Sequence, residues 1–441
     1  MRRATQLLVS AGAVAALAAG LLAAGALGGS PTGGSPTDSA TDAATSAPAS
    51  GPSDPLARGI AEAQARLTEQ PQDYRTWADL GLAYVQQAKI TVDPSYYAKA
   101  VGAVDRSLML DRRQNYSGWA AKAALQNALH DFTGARTAAM KGIAINGYNS
   151  TLYGALADAE TQLGRYDEAA AAVDRMNQLL PGVPAFTRAS YVLELRGDVK
   201  GARSALDRAL QDSPNGSDVS FVQNYLGELA FNYGGDARAA LGHFQAGLAA
   251  SPKDFVLLAG KAKAEAALGQ VEQALADYRT VVNAIPQPQY VLELGELEQQ
   301  QKDPDATRQY ALFHTEEQLF SAAGVALDTE PTLFEADHGD KAKALQYCAS
   351  GWKIRPFLEM ADACAWANYV NGRYAEALGW SRRALATNWP NALLLFHRGM
   401  IQQALGDKAA AKADLSKALA TNPHFNVLQA PIATAALAAL N

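Results

Sequence analysis

The sequence predicts an all-α protein, a superhelical solenoid built from antiparallel helix pairs. The first observation is a pattern of three residues: a glycine, an alanine five positions later, and a proline seventeen positions after the glycine. The complete pattern begins at Gly164, Gly197, Gly235, Gly269, Gly339 and Gly406. At Gly372 the proline comes one position later. The second observation is the spacing of these glycines, most of which follow one another after 33 or 34 residues, as in an array of repeated units.

Each residue of the pattern has a physical role in a helix pair. The glycine ends the first helix, because glycine readily takes the left-handed conformation that closes a helix C-terminus. The alanine lies early in the second helix, where a larger side chain would push the two helices apart. Bulkier apolar residues, such as Val173 and Tyr278, come nine positions after the glycine and share the face of the alanine. The proline stops the second helix.

The residues before each glycine supply the first helix. The clearest example places Trp77, Leu80, Gly81 and Tyr84 on one helical face. Together with the later alanine and proline, this arrangement resembles the tetratricopeptide repeat, over about ten units of that family's period. The resemblance implies a right-handed superhelix whose first helices line a concave groove.

Two stretches depart from the regular pattern. The first unit carries an insertion, ITVDPSYY, between its helices. Between Leu319 and Asp340 the first helix is expected to be irregular or shortened, which predicts a joint between two stacks. We therefore expect an N-terminal repeat array at 55–325, a C-terminal array at 326–423 and a capping helix at 424–441.

The N-terminal residues indicate export. Arg2 and Arg3 precede an uncharged apolar run, so residues 1–28 are predicted to be a signal peptide or a membrane anchor. Both alternatives place the rest of the chain outside the cytoplasm, either secreted or anchored to the membrane through residues 7–28. Residues 29–54 are rich in Ser, Thr, Pro, Gly and Ala and are predicted to be a disordered spacer.

Composition and motifs argue against several function classes. The net charge of −6 argues against a nucleic-acid partner. The six histidines are scattered, and the sequence has neither a metalloprotease helix, nor a phosphate-binding loop, nor a nucleophile turn. We therefore expect no catalytic residue, no metal, no cofactor and no enzymatic activity.

Cys348 and Cys364 fall on the packing faces of consecutive helices. In an oxidising compartment they are expected either to form a disulfide or to remain two buried, inert thiols.

Residues off the packing stripe of the first helices are the candidate partner-binding residues. They are Asp158, Tyr191, Glu194, Glu228, Phe231, Glu298, Trp366, Tyr369, Phe396 and Met400. Acids with a few aromatic residues in the middle units favour a basic or apolar protein or peptide partner. The alternative for the aromatic residues of the last units is packing against neighbouring helices or the C-terminal cap.

The expected function is that of a non-enzymatic extracytoplasmic scaffold or adaptor that binds protein segments in the concave groove. One alternative is a membrane-anchored assembly factor for an envelope complex. Another is a cell-wall or carbohydrate-binding protein that uses the aromatic residues and carboxylates of the groove. The pattern does not predict the oligomeric state.

Overall fold

The computed structural model describes residues 55–440, which contain 22 α-helices and no strand. The first eleven are α1 Pro55–Glu69, α2 Tyr74–Thr91, α3 Ser95–Leu110, α4 Tyr116–Ala128, α5 Phe132–Ile145, α6 Ser150–Gln162, α7 Tyr166–Leu179, α8 Val183–Leu195, α9 Val199–Gln211, α10 Gly216–Gly234 and α11 Ala237–Ala250. The others are α12 Phe255–Ala267, α13 Val271–Ala284, α14 Pro288–Gln300, α15 Ala306–Ala322, α16 Thr329–Asp337, α17 Lys341–Ile354, α18 Leu358–Val370, α19 Tyr374–Ala384, α20 Ala392–Ala404, α21 Lys408–Thr421 and α22 Gln429–Ala439.

Helices α2 to α21 form ten antiparallel pairs, which we number as units 1 to 10. Each first helix packs on its own second helix, and consecutive units pack on each other through most of the array, while α1 packs on α2 and α22 on α21. No helix within residues 55–440 is long and apolar enough to cross a membrane. The predicted export segment 1–28 and the spacer 29–54 lie outside the described residues.

The turn between the two helices of a unit has the expected left-handed residue in most units. Six of the pattern glycines have positive φ angles: Gly164, Gly197, Gly235, Gly269, Gly372 and Gly406. Units 1, 2 and 7 reach the same conformation with Val92, His130 and Lys302. At Gly339 the expectation is wrong, because the short helix α16 ends without a left-handed residue at this glycine.

The small residues of the pattern form the contact between paired helices. The alanines that follow the pattern glycines, such as Ala169, Ala202 and Ala274, are buried. They lie beside larger apolar side chains, including Leu206 and Phe244, which fill the core between neighbouring units. The paired helices therefore approach closely at the alanines, and the bulkier side chains fill the space between neighbouring units.

The two irregular stretches differ in outcome. Between α15 and α17 the first helix is short, since α16 has 9 residues and follows an extended α15. The insertion predicted between the helices of unit 1 is instead mostly helical, because α2 continues to Thr91 and α3 begins at Ser95. Only residues 92–94 separate these two helices.

The superhelix packs against itself after five units. The turn between the two helices of a unit contacts the loop that follows the unit five places later, from units 1 and 6 to units 5 and 10. We call this line of contacts the seam. At its start, Val92 of unit 1 belongs to the same core cluster as Val282 and Ile285 of unit 6. At its end, the turn glycine Gly235 of unit 5 lies against Pro423 after unit 10.

Buried polar groups join the middle of the seam. His130 Nδ1 in the turn of unit 2 lies 2.9 Å from Asp328 Oδ2 in the loop after unit 7. Arg355 after unit 8 bonds Asp328 Oδ1 at 3.1 Å and also donates to Gln162 at the end of α6. The Tyr166 hydroxyl accepts from the backbone N–H of Leu358 at 3.1 Å. The seam therefore places residues nearly two hundred positions apart in contact.

Candidate functional site: the inner surface

Charged and tyrosine side chains from eight first helices interact electrostatically with one another, and we call this group the inner surface. Its members are Lys89 on α2, Asp158 on α6, Arg188, Tyr191 and Glu194 on α8, Tyr225 and Glu228 on α10, Lys263 on α12, Glu293 on α14, Glu330 on α16 and Glu359 on α18. Electrostatic contacts cross the superhelix, because Tyr191 on α8 interacts with Glu359 on α18. The superhelical closure therefore makes distant first helices face a common region.

Two ion pairs neutralise part of the inner surface. The guanidinium of Arg188 forms two parallel hydrogen bonds of 2.8 Å with the carboxylate of Asp158. The amine of Lys263 donates to both carboxylate oxygens of Glu228, at 2.8 and 2.9 Å. Each pair joins neighbouring first helices, so these four groups also fix the spacing between units.

Three carboxyl groups of the inner surface form no ion pair within residues 55–440: Glu194, Glu293 and Glu330. Burial raises the pKa of Glu194 to about 7, although the Tyr233 hydroxyl donates to it at 2.9 Å. Burial also raises the pKa of Glu293, and it raises that of Glu330 to about 8, with the nearby Asp328 charge adding to the effect. The side chains of Glu293 and Glu330 remain partly accessible to solvent. A cation that approached Glu293 or Glu330 would favour the ionised form of these carboxyl groups.

The structure divides the predicted residues of the middle units into two sets. Asp158, Tyr191, Glu194 and Glu228 lie together on the inner surface, as described above. Phe231 packs in a core cluster with Phe244 and Leu257, and the amine of Lys263 lies 5.5 Å from its ring centroid. Glu298 is buried at the end of α14, where Arg279 bonds its carboxylate at 3.0 Å. Partner contact by these six residues stays a prediction.

The predicted aromatic cluster of the last units packs against the C-terminal residues. Trp366 stacks on Tyr369 with ring centroids 4.6 Å apart, and Phe396 lies 5.4 Å from Phe425. Trp366 and Phe396 are buried, and the partly buried Tyr369 and Met400 pack on the same core cluster. This arrangement agrees with the alternative of packing against the C-terminal cap, and a partner contact here also stays a prediction.

Hydrogen bonds hold the loop before α22 against the first helices α14 and α16. Asn426 donates to Glu296 at 2.7 Å, and Gln429 donates to Asp337 at 3.1 Å. The indole N–H of Trp366 donates to the other oxygen of Asp337 at 2.6 Å. Burial raises the pKa of Asp337, and the Trp366 hydrogen bond opposes that shift. The C-terminal segment therefore contacts the C-terminal ends of α14 and α16.

Comparison with known proteins agrees with this architecture. The tetratricopeptide repeat family matches residues 392–425, which comprise α20, α21 and the start of the loop that follows. Residues 392–425 therefore contain a tetratricopeptide repeat (TPR). No curated protein matches the sequence at a significant level.

Several solved structures resemble this TPR chain in fold. A TPR protein from Parabacteroides merdae is 19% identical, with a TM-score of 0.34, over 58% of this chain and 98% of that one. The Cut9–Hcn1 hetero-tetramer of the APC/C is 16% identical, with a TM-score of 0.43, over 87% of this chain and 76% of that one. The human IFIT1 dimer with PPP-AAAA is 15% identical, with a TM-score of 0.45, over 75% of this chain and 78% of that one.

The two cysteines of the TPR chain form a disulfide. Cys348 on α17 and Cys364 on α18 have their sulfur atoms 2.07 Å apart, and both residues are buried. The bond spans the loop at 355–357, which contributes Arg355 to the seam. The disulfide therefore braces a loop that the superhelix uses to contact its earlier units.

One group of three carboxylates within residues 55–440 has the spacing of a metal site: Glu298, Asp303 and Asp305 offer oxygens within 4.8 Å of one another. Arg279 already bridges Glu298 and Asp303, at 3.0 and 2.9 Å. Because the guanidinium neutralises two of the three carboxylates, the arrangement is explained as an ion-pair cluster at the end of α14.

Sequence reasoning missed six members of the inner surface. They are Lys89, Arg188, Tyr225, Glu293, Glu330 and Glu359. The signal that could have found most of them is a charged residue recurring in each first helix of the TPR array. The same signal could not reveal which of these residues are paired, because the pairing partners come from other units.

Proposed function

We propose that this TPR protein is a non-enzymatic adaptor that binds extended segments of partner proteins on its inner surface. The observation that carries the proposal is the set of carboxyl groups without cationic partners, Glu194, Glu293 and Glu330, on that surface. Such groups favour a segment with lysine or arginine side chains. The neighbouring Tyr225, which is partly exposed, adds an aromatic face that favours the same cations.

The proposed location is outside the cytoplasm. It is supported by Arg2 and Arg3 in front of the apolar run and by the disulfide between Cys348 and Cys364, since disulfides persist mainly in oxidising compartments. TPR folds generally serve as non-catalytic scaffolds, and a solenoid offers a long surface for an extended partner. These properties together support an adaptor more than an enzyme.

The proposal is tested by fluorescence anisotropy with a labelled peptide of alternating Lys and Ala residues and, for comparison, one of alternating Glu and Ala. We expect the chain to bind the Lys peptide and not the Glu peptide. The double substitution Glu293→Gln and Glu330→Gln should weaken binding about tenfold, because it removes two unpaired carboxylates. Affinity should rise between about pH 6 and about pH 9, since the raised pKa values of Glu194 and Glu330 mean that these groups ionise in this range while lysine stays charged.

The matched control is Glu376→Gln, which removes an exposed carboxylate from the second helix α19. It should leave affinity unchanged at all pH values. Equal weakening by Glu376→Gln would show that net charge alone attracts the peptide. Absence of any Lys-peptide binding would remove the inner surface as a site for cationic segments.

A further inference from the structure

The charge of the chain is distributed unevenly. Residues 341–441 contain 11 Lys and Arg residues against 5 Asp and Glu residues, although the net charge of the whole chain is −6. The excess of cations lies on α17, α19 and α21, the second helices of units 8 to 10. The first helices α16, α18 and α20 pack on one another in succession, so these second helices lie on the side away from the inner surface. We call their exposed side the basic face.

One row of cations on the basic face lies at the N-terminal ends of the three helices. Lys341 begins α17, Arg373 caps α19, Lys408 begins α21, and Lys412 follows one turn later. All four residues are exposed, and none forms an ion pair within residues 55–440. The macrodipole makes a helix N-terminus electropositive, so a cation in the first turn lowers the stability of its helix. Helix stability therefore does not explain this row.

A second row lies in the C-terminal halves of the same helices. It consists of Lys353, Arg382, Arg383 and Lys417, which are all exposed and form no ion pair with any described residue. In total, α17, α19 and α21 carry eight cations and two acids, whereas the preceding second helices α13 and α15 carry two cations and four acids. The basic face is therefore specific to the last three units and is not a general property of the second helices.

Aromatic and apolar side chains accompany these cations. The rings of Trp352 on α17 and Trp380 on α19 meet edge to face with centroids 4.9 Å apart, and both residues are partly exposed. The guanidinium of Arg383 lies 4.5 Å from the Trp380 ring centroid. Tyr374 and Leu405 are 37% and 42% exposed beside the turns of units 9 and 10. These turns are open, since a Cβ atom built on the glycine of either one meets nothing within 4 Å.

We propose that the basic face docks on a membrane surface that carries anionic lipid headgroups. Two rows of unpaired cations complement a negatively charged surface, and each Lys or Arg near such a surface adds to the attraction. Tryptophan and tyrosine favour the boundary between lipid and water, where an aromatic ring and its polar group are both accommodated. This combination favours a membrane over a soluble polyanion, which would need the cations alone.

The docking does not rest on the proposed adaptor function. The inner surface lies on the other layer of helices, so it stays open to a partner while the basic face contacts lipid. Membrane contact also agrees with the predicted anchor at 7–28. If that run is not cleaved, the 26 spacer residues at 29–54 allow a separation of at most roughly 90 Å between membrane and array.

The test uses the full chain with an environment-sensitive fluorophore on a single new cysteine. Both native cysteines are joined in the disulfide, so only the new one takes the label. Ala413→Cys places the label on the basic face, and the control Ala171→Cys places it on the exposed side of α7. Vesicles of equal parts phosphatidylglycerol and phosphatidylcholine should shift the emission at position 413 to the blue, whereas pure phosphatidylcholine should not. Position 171 should respond to neither, and insertion of the run at 7–28 alone would not distinguish the two positions.

Removal of charge tests the role of the cations. Arg382→Gln combined with Lys417→Gln should raise the lipid concentration at half-maximal shift by about tenfold. The matched pair Lys200→Gln with Arg238→Gln changes the net charge equally at exposed, unpaired positions of α9 and α11 and should have no effect. Circular dichroism checks that each variant keeps its fold.

Three results would overturn membrane docking by this face. They are equal responses of the two labels, equal weakening by the two pairs of substitutions, and an equal shift with both kinds of vesicle. A shift caused by polyglutamate or duplex DNA in the absence of any shift with the anionic vesicles would also overturn it, and would assign the basic face to a soluble acidic macromolecule.

Discussion

Gly197 and Gly372 have the same local structure and different surroundings. Each glycine follows a first helix and has a positive φ, +81° in Gly197 and +73° in Gly372. The N–H of each glycine donates to the carbonyl oxygen of the residue three positions earlier, at 2.9 Å. The next residues, Asp198 and Arg373, close the helix end with equal 2.9 Å bonds. A Cβ on Gly197 would lie 2.6 Å from the Asn388 carbonyl oxygen, while a Cβ on Gly372 meets open space.

The comparison teaches that one repeat motif serves two purposes in this chain. In units 3 to 5 the turn needs a positive φ and also a residue without a Cβ, because a loop five units later lies against it. In units 6, 9 and 10 only the backbone conformation requires the glycine. The seam therefore makes the two halves of the array unequal, although their repeat patterns match.

The largest effect is expected at the polar centre of the seam. Arg355→Ala leaves the buried carboxylate of Asp328 without its guanidinium partner, which should lower the free energy of unfolding by about 3–5 kcal/mol. Urea denaturation measures this change. Arg203→Ala removes an exposed ion pair with Asp207 and should cost at most about 0.5 kcal/mol. Similar losses in both variants would mean that the seam adds little stability.

The second effect concerns the disulfide that braces the seam loop. Replacing Cys348 and Cys364 by serine should destabilise the chain by about 3 kcal/mol in the chain-entropy description, for a loop of 16 residues. Hydrogen exchange should then rise at the amide of Gly164, which lies against Pro356, more than at the amide of Gly372, which no other loop contacts at the Cβ position. An equal increase in hydrogen exchange at both amides would show that the disulfide does not stabilise the seam specifically.

The smallest effect is the direct contrast between the two glycines. Gly372→Ala should cost about 1–2 kcal/mol, because alanine is strained at positive φ. Gly197→Ala carries the same strain and also displaces the loop at Asn388, which should add about 1–3 kcal/mol of overpacking. Thermal melts of the two single variants give the difference. Equal melting temperatures would indicate that the loop at Asn388 moves away from position 197 without a loss of stability.

Some features were predictable from the sequence because they depend on residues close along the chain. The Gly–Ala–Pro spacing predicted the helix pairs, their turns and the buried alanines, and the short helix before Gly339 was also expected. The prediction that ITVDPSYY of unit 1 lies between two helices was wrong, since most of it extends those helices. An irregular unit gives no local pattern by which helix-extending residues can be distinguished from a loop. Asp158 and Glu228 were found on the first helices, whereas Glu298 is tied to Arg279 of the preceding helix.

The sequence by itself determined the repeated helix pair, since helix ends, close-packed faces and period are all encoded within about 34 residues. Only the tertiary structure decided that the array meets itself after five units, because that depends on small rotations accumulated between successive pairs. It also decided which carboxyl groups of the inner surface form ion pairs and which do not. Those outcomes arise from contacts between residues that no local pattern relates.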